Sequence, residues 1–154
     1  MMRPVLACAL LSALAVPAAA QIVPEDGVWA PADRELELAE ACPPAAQGMA
    51  QMMAEGFDRN EAKTIEWGGS FDPNRLTAEN PGQEMDWERV DENSWRAVVP
   101  EAPEGAFDMV LTALSEDRVQ GLMTMDMGAM MSGGGGPDMT GCVVSVRMFV
   151  ERQC

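Results

Sequence analysis

Apolar residues recur at every second position in one short run after another, and this period constrains the fold more than any other feature. Ile65 and Trp67 share one face of residues 63–67, and Met85 and Trp87 share one face of residues 84–90. Trp95 and Ala97 alternate in residues 94–99. Phe107, Met109, Leu111 and Ala113 alternate in residues 106–114. Met123, Met125 and Met127 fall at spacing two in residues 118–127, and residues 142–152 form a last run. A period of two puts alternate side chains on opposite faces of a strand. Turn signals separate the runs: Gly68-Gly69, Asp72-Pro73-Asn74, Asn80-Pro81-Gly82, Asp91-Glu92-Asn93 and Ser115-Glu116-Asp117. Strands this short, joined this locally, predict a mainly β chain: a curved antiparallel sheet or a small β-sandwich.

The N-terminal third reads differently. Residues 21–33 are punctuated by Pro and Gly, with Val28 and Trp29 as apolar anchors. In residues 35–40 the alternation of Leu36 and Leu38 suits a strand and the composition suits a helix, and the alternation is taken to predict a strand leading into Cys42. Pro43-Pro44 then opens a helix, Pro being well placed in a first turn. Met49, Met52 and Met53 follow at helical spacing with Phe57 beyond, so this expected helix of about residues 44–55 presents a methionine face, and Gly56 stops it.

Residues 1–20 have the order of a secretory leader: Arg3, then an apolar run to Val16, then Pro17-Ala18-Ala19-Ala20 with small residues where a signal peptidase reads. The run is too short and too rich in alanine for a membrane anchor. The expected product is a single β-rich domain, residues 21–154, exported to the periplasm or secreted. No later stretch is expected to span a membrane, since residues 142–150 are interrupted by Ser145 and Arg147.

Export makes the cysteines informative. Cys42, Cys142 and Cys154 follow the leader. An extended strand between Cys142 and Cys154 holds them roughly 35 Å apart at about 3.3 Å per residue, whereas a disulfide needs Cα atoms within about 7 Å. Cys42 therefore pairs with one of the two. The expected partner is Cys154, because that bridge ties down the C-terminus, and Cys142 is left over. There is no C-x-x-C motif for thioredoxin-like chemistry.

Composition closes off several functions. The chain has no His, which removes His-type zinc sites, Ser-His-Asp triads and imidazole acid–base steps. Its 25 acidic residues against 10 basic ones give a formal charge of −15, which disfavours nucleic acid and anionic membrane surfaces. Gly133 to Gly136 lacks the Gly-Lys-[Ser/Thr] ending of a phosphate loop, and no serine sits in a G-x-S-x-G elbow. Glu84, Asp86 and Glu88 share a strand face opposite Met85 and Trp87 and read as a solvated face. No catalytic set emerges, and a non-enzymatic protein is expected.

Two groups remain as candidate binding residues. Met123, Met125, Met127, Met130 and Met131 cluster beside the glycine run, and thioether sulfur is a soft ligand that selects Cu(I). The same spacing equally describes a buried strand face filled by adaptable side chains. Trp67, Trp87 and Trp95 lie on apolar strand faces. They fill a core or, in a curved sheet, face an apolar ligand.

Gly27-Val28-Trp29 after the leader, Cys42 before a short helix, the run from Gly121 to Met127, and the ending Glu151-Arg152-Gln153-Cys154 together carry a resemblance. The chain resembles a family of small exported bacterial proteins classed as a domain of unknown function, with a Gly-x-Trp start, a methionine-rich late strand and a C-terminal Cys. It departs from that pattern in having no extra Cys pair around its central strands, and in its last five residues. The resemblance implies an antiparallel β-rich envelope protein and leans toward a bridge between Cys42 and Cys154. It supplies no catalytic residues.

The expected function is binding of an apolar ligand or an envelope partner, without a cofactor. The alternatives are a Cu(I)-binding protein using the five methionines and a structural envelope protein with its methionines in the core.

Overall fold

The computed structural model describes residues 20–57, 61–78, 82–100, 102–131 and 138–154. The leader up to residue 19, Asn80-Pro81 and the glycine run at 132–137 lie outside these residues, as do the side chains of Met53 and Phe57.

Seven strands form one antiparallel sheet. In chain order they are β1 (Gly27–Leu38), β2 (Lys63–Ile65), β3 (Asp86–Asp91), β4 (Ser94–Val98), β5 (Phe107–Ser115), β6 (Arg118–Asp126) and β7 (Val143–Arg152). Their order across the sheet is β2-β1-β7-β6-β5-β4-β3, so β3 to β7 run as the expected meander and β1 returns to pair with β7. The helices are α1 (Pro44–Phe57), α2 (Asn74–Thr77) and α3 (Met127–Met130).

β1 begins earlier than its Pro and Gly content predicts. It absorbs Pro31 at an irregularity: Pro31 is opposite Val150, but Arg34 is opposite Met148. One extra residue on β1 is a bulge, the place in a strand where a missing N–H is tolerated. The extra residue also flips the side-chain parity. Trp29 before it and Leu36 and Leu38 after it therefore all pack on the apolar face.

That face is concave. The rings of Trp29 and Trp67 lie 5.4 Å apart, Trp67 and Phe71 5.2 Å, and Phe71 and Trp95 4.5 Å. This row links β1 to β4, which on a flat sheet stand about 19 Å apart, four steps at about 4.8 Å. The sheet is therefore a half-barrel whose edge strands β2 and β3 are not paired with each other. The connection between those edges crosses the gap. Asn74 of α2 donates to the Met85 carbonyl at 3.0 Å and accepts from the Met85 amide at 2.9 Å, copying one step of strand pairing just before β3.

The convex face is polar. Arg96 pairs with Asp108 at 2.9 Å, Arg118 with Glu151 at 3.2 Å and Arg147 with Glu35 at 2.7 Å. These pairs are half-exposed and add little stability one by one. They give the outward residues of β1 and β4 to β7 a solvated role and leave the inward residues to the core.

α1 forms where the sequence places it but turns a different face inward. Ala46, Ala50 and Ala54 are buried, while Met49 is 40% and Met52 74% exposed. Residues four apart share a helix face, and a stripe of methyl groups lets a helix approach a sheet closely. The Arg34 guanidinium of β1 donates to the Ala54 carbonyl and fastens the helix over that strand.

The disulfide joins Cys42 to Cys142, with Cα atoms 4.4 Å apart, and corrects the expected bridge to Cys154. The cause is the β1–β7 register. Leu38 lies opposite Val144, and the Ala39 amide donates to the Val143 carbonyl at 2.9 Å, so the chain leaving β1 turns beside the start of β7. Cys154 follows Arg152, which lies opposite Trp29 at the far end of the same pair of strands. It is a free, exposed thiol. The disulfide is consistent with an extracytoplasmic protein. Among the described residues, no helix is long and apolar enough to cross a membrane.

Candidate functional site

The concave face has two ends, and the inward residues of each central strand divide between them. On β6, Val119 and Gly121 belong to one end and Met123 and Met125 to the other. On β7, Met148 and Val150 border the first end and Val144 and Val146 fill the second.

The second end is packed. Met123, Met125, Met127 and Met139 are each at most 6% exposed and sit with Ala46 and Ala50 of α1, Cys142, Val144 and Val146. Asp126 accepts a hydrogen bond from the Ala129 amide at 3.0 Å and starts α3 at the end of β6, which turns Met127 into this cluster. Gly128 is required there, since a Cβ on it would stand 2.8 Å from the Met139 carbonyl oxygen. The five methionines singled out as copper ligands thus divide. Met123, Met125 and Met127 are core residues, Met131 is half-buried against them, and Met130 is 51% exposed. Among the described residues, no group of His, Cys, Asp or Glu is placed to hold a metal ion.

The first end holds a cavity of about 690 Å³. That lies inside the range of roughly 300–1,000 Å³ usual for small-molecule sites. Its floor is built from facing strands: Met109 and Leu111 of β5, Val119 and Gly121 of β6, Met148 and Val150 of β7. Gly121 lies opposite Leu111 on one side and Met148 on the other. A Cβ at Gly121 would meet Leu111 Cδ2 at 3.1 Å and Met148 Cε at 3.3 Å. Both side chains therefore fold down over the glycine, and the floor is deeper for it.

The polar side chains of the lining come from one region. Glu61 and Lys63 precede and begin β2, and Thr77 ends α2. The Lys63 ammonium donates to the Leu76 carbonyl at 2.5 Å, and Thr77 spends its hydroxyl on the Pro73 carbonyl at 3.2 Å. Trp29 forms part of the wall, with its indole N–H donated to the Glu25 carbonyl at 3.1 Å.

The three tryptophans named as ligand-facing residues stand elsewhere. Trp67 and Trp95 are 2% and 8% exposed and pack through Phe71. Trp87 is half-buried against the same cluster, and its indole N–H donates to Asn74 Oδ1 at 3.1 Å. They hold the curl of the sheet, and the cavity lies beside them. The lining residues Met109, Leu111, Val119 and Met148 were visible only as parts of apolar strand faces. The one signal for the cavity was Gly121, which interrupts an otherwise apolar face in the middle of a strand. No family model, curated protein or solved structure matches this chain.

Proposed function

We propose that this protein is a non-enzymatic carrier, exported to the periplasm or secreted, that holds an apolar small molecule on the concave face of its sheet. The cavity of about 690 Å³ carries the reading, because its floor is apolar on three adjacent strands. Soluble domains fill such a face unless something else occupies it. The cavity favours a small ligand over an envelope protein as the bound partner. The burial of Met123, Met125 and Met127 supports a packing role for them.

The test is a titration with N-phenyl-1-naphthylamine, a neutral apolar dye that brightens out of water. Saturable binding of one dye per chain is expected, with quenching of Trp29, whose side chain lies in the wall. Replacing the half-buried Val150 by Trp fills the floor and is expected to abolish binding while thermal unfolding stays cooperative. Dye binding that never saturates, or that survives this substitution in a folded protein, overturns the proposal.

A further inference from the structure

Resting on that carrier reading, we propose that Met148 and Met85 are modification sites for hydrogen peroxide, and that their oxidation to sulfoxides expels the apolar ligand. Three thioethers line the cavity, those of Met85, Met109 and Met148. Met148 and Met85 are half-buried, while Met109 is 9% exposed. The Asn74 side chain pins the Met85 backbone at both its amide and its carbonyl, which fixes where that side chain starts on the cavity wall. Met148 lies opposite Gly121, where the missing Cβ leaves room for its methyl end. Hydrogen peroxide is little larger than water, so it reaches a sulfur that borders open space, and exposure governs which methionines oxidise.

The step needs no catalytic side chain, which suits a chain with no His. A sulfur lone pair attacks one peroxide oxygen, the O–O bond breaks and an S–O bond forms. The proton of the transferred hydroxyl passes to the departing hydroxide, which leaves as water. Sulfur loses two electrons and the peroxide gains them. The product is polar, whereas Leu111, Val119 and Val150 of the floor carry no side-chain donor, and the backbones of β5, β6 and β7 are engaged in strand pairing. Water drawn into the cavity therefore satisfies the sulfoxide oxygen. An apolar ligand that displaces this water leaves the oxygen unpaired, at a cost that weakens binding. The packed end is shielded, since Met123, Met125 and Met127 are at most 6% exposed and border no such space. The disulfide between Cys42 and Cys142 is consistent with a compartment in which oxidants are met.

The experiment treats the full protein with graded hydrogen peroxide and removes the excess with catalase. Peptide mass spectrometry then counts the sulfoxide at each methionine, beside a titration with N-phenyl-1-naphthylamine. Met52, 74% exposed, is expected to oxidise first without changing dye affinity, which makes it the internal control. Affinity is expected to fall about tenfold as Met148 and Met85 oxidise, with thermal unfolding still cooperative. Saturating dye should slow oxidation at those two residues and leave Met52 unaffected, because the coupling is reciprocal. Met148→Leu combined with Met85→Leu should bind the dye as the parent does and keep its affinity after the same dose. Unchanged affinity once both methionines are oxidised, or a loss that persists in the double variant, overturns the oxidation switch and leaves the carrier standing. So does oxidation of Met148 and Met85 no faster than of Met123 and Met125, or a loss of binding that coincides with loss of the cooperative transition. Failure of the untreated protein to bind the dye overturns the carrier reading and the switch together.

Discussion

The two ends of the concave face have the same ingredients and opposite outcomes. Both draw on β1, β6 and β7, both use methionine, and Phe107 and Met148 pack against both clusters. At one end α1 lies close on its alanine stripe, Cys42 is bonded to Cys142, and four methionines fill what remains. At the other end the cover is the four-residue α2 and the coil around it, and about 690 Å³ stays open above Gly121. The difference teaches that the sheet does not decide whether its face becomes core or cavity. The connection laid over it does. A long helix with a narrow face closes one end, and a short helix tied to the edge strands by Asn74 and Lys63 spans the other without filling it.

The largest way to break this contrast is to cut the link that holds the filled end. Replacing Cys42 and Cys142 together by Ser opens a loop with a sequence separation of 100 residues. Urea unfolding is expected to show a loss of about 2–5 kcal/mol. Cys154→Ser removes an exposed thiol and should change stability by less than about 0.5 kcal/mol. A large effect of Cys154→Ser under oxidising conditions would contradict the assigned bridge.

Paired truncations sharpen the contrast. Met125→Ala leaves a hole in a packed region and is expected to cost about 3 kcal/mol by the same measurement. Met148→Ala trims a half-buried side chain that already borders open space, so about 1 kcal/mol is expected. Equal costs would mean that the two ends are equally packed.

Overpacking asks the question in reverse. Ala50→Leu adds three heavy atoms to a side chain facing a strand face that α1 already touches, and a loss of about 1–3 kcal/mol is expected in thermal or urea unfolding. Gly121→Ala displaces only the mobile tips of Leu111 and Met148 into the cavity. Its stability should stay within about 1 kcal/mol of the parent, while dye affinity falls. The smallest effect belongs to Met52→Ala, within about 0.5 kcal/mol, because its side chain faces solvent.

Much of this architecture was legible in the sequence. The strands show because alternation is a local property: Met109, Leu111 and Ala113 face inward as their spacing predicts. The turn at Asp91-Glu92-Asn93 shows because its residues favour turns. The helix over residues 44–57 shows too, but its inward face does not. Ala and Met both count as apolar, and only the closeness of the sheet selects the smaller. The disulfide partner was hidden for a different reason. Cys42 meets Cys142 through the β1–β7 register, which no single segment encodes, and the bulge at Pro31 to Arg34 shifts that register by one residue. The cavity was hidden most deeply, since an apolar strand face reads the same whether a helix or a ligand covers it. Trp67, Trp87 and Trp95, the expected ligand-facing residues, shape the sheet, and the cavity lies beside them.

The central claim is that one end of the concave face is built to be filled from outside and the other is filled already. Methyl-labelled methionine tests it directly, because Met109 and Met148 line the cavity while Met123, Met125, Met127 and Met139 lie in the packed end. With each methyl resonance assigned by substitution, N-phenyl-1-naphthylamine is titrated into the protein. The account predicts saturable shifts at Met109 and Met148 and none at the other four. Shifts at Met123 and Met125, or no shift at Met109 and Met148 under saturating ligand, would contradict it.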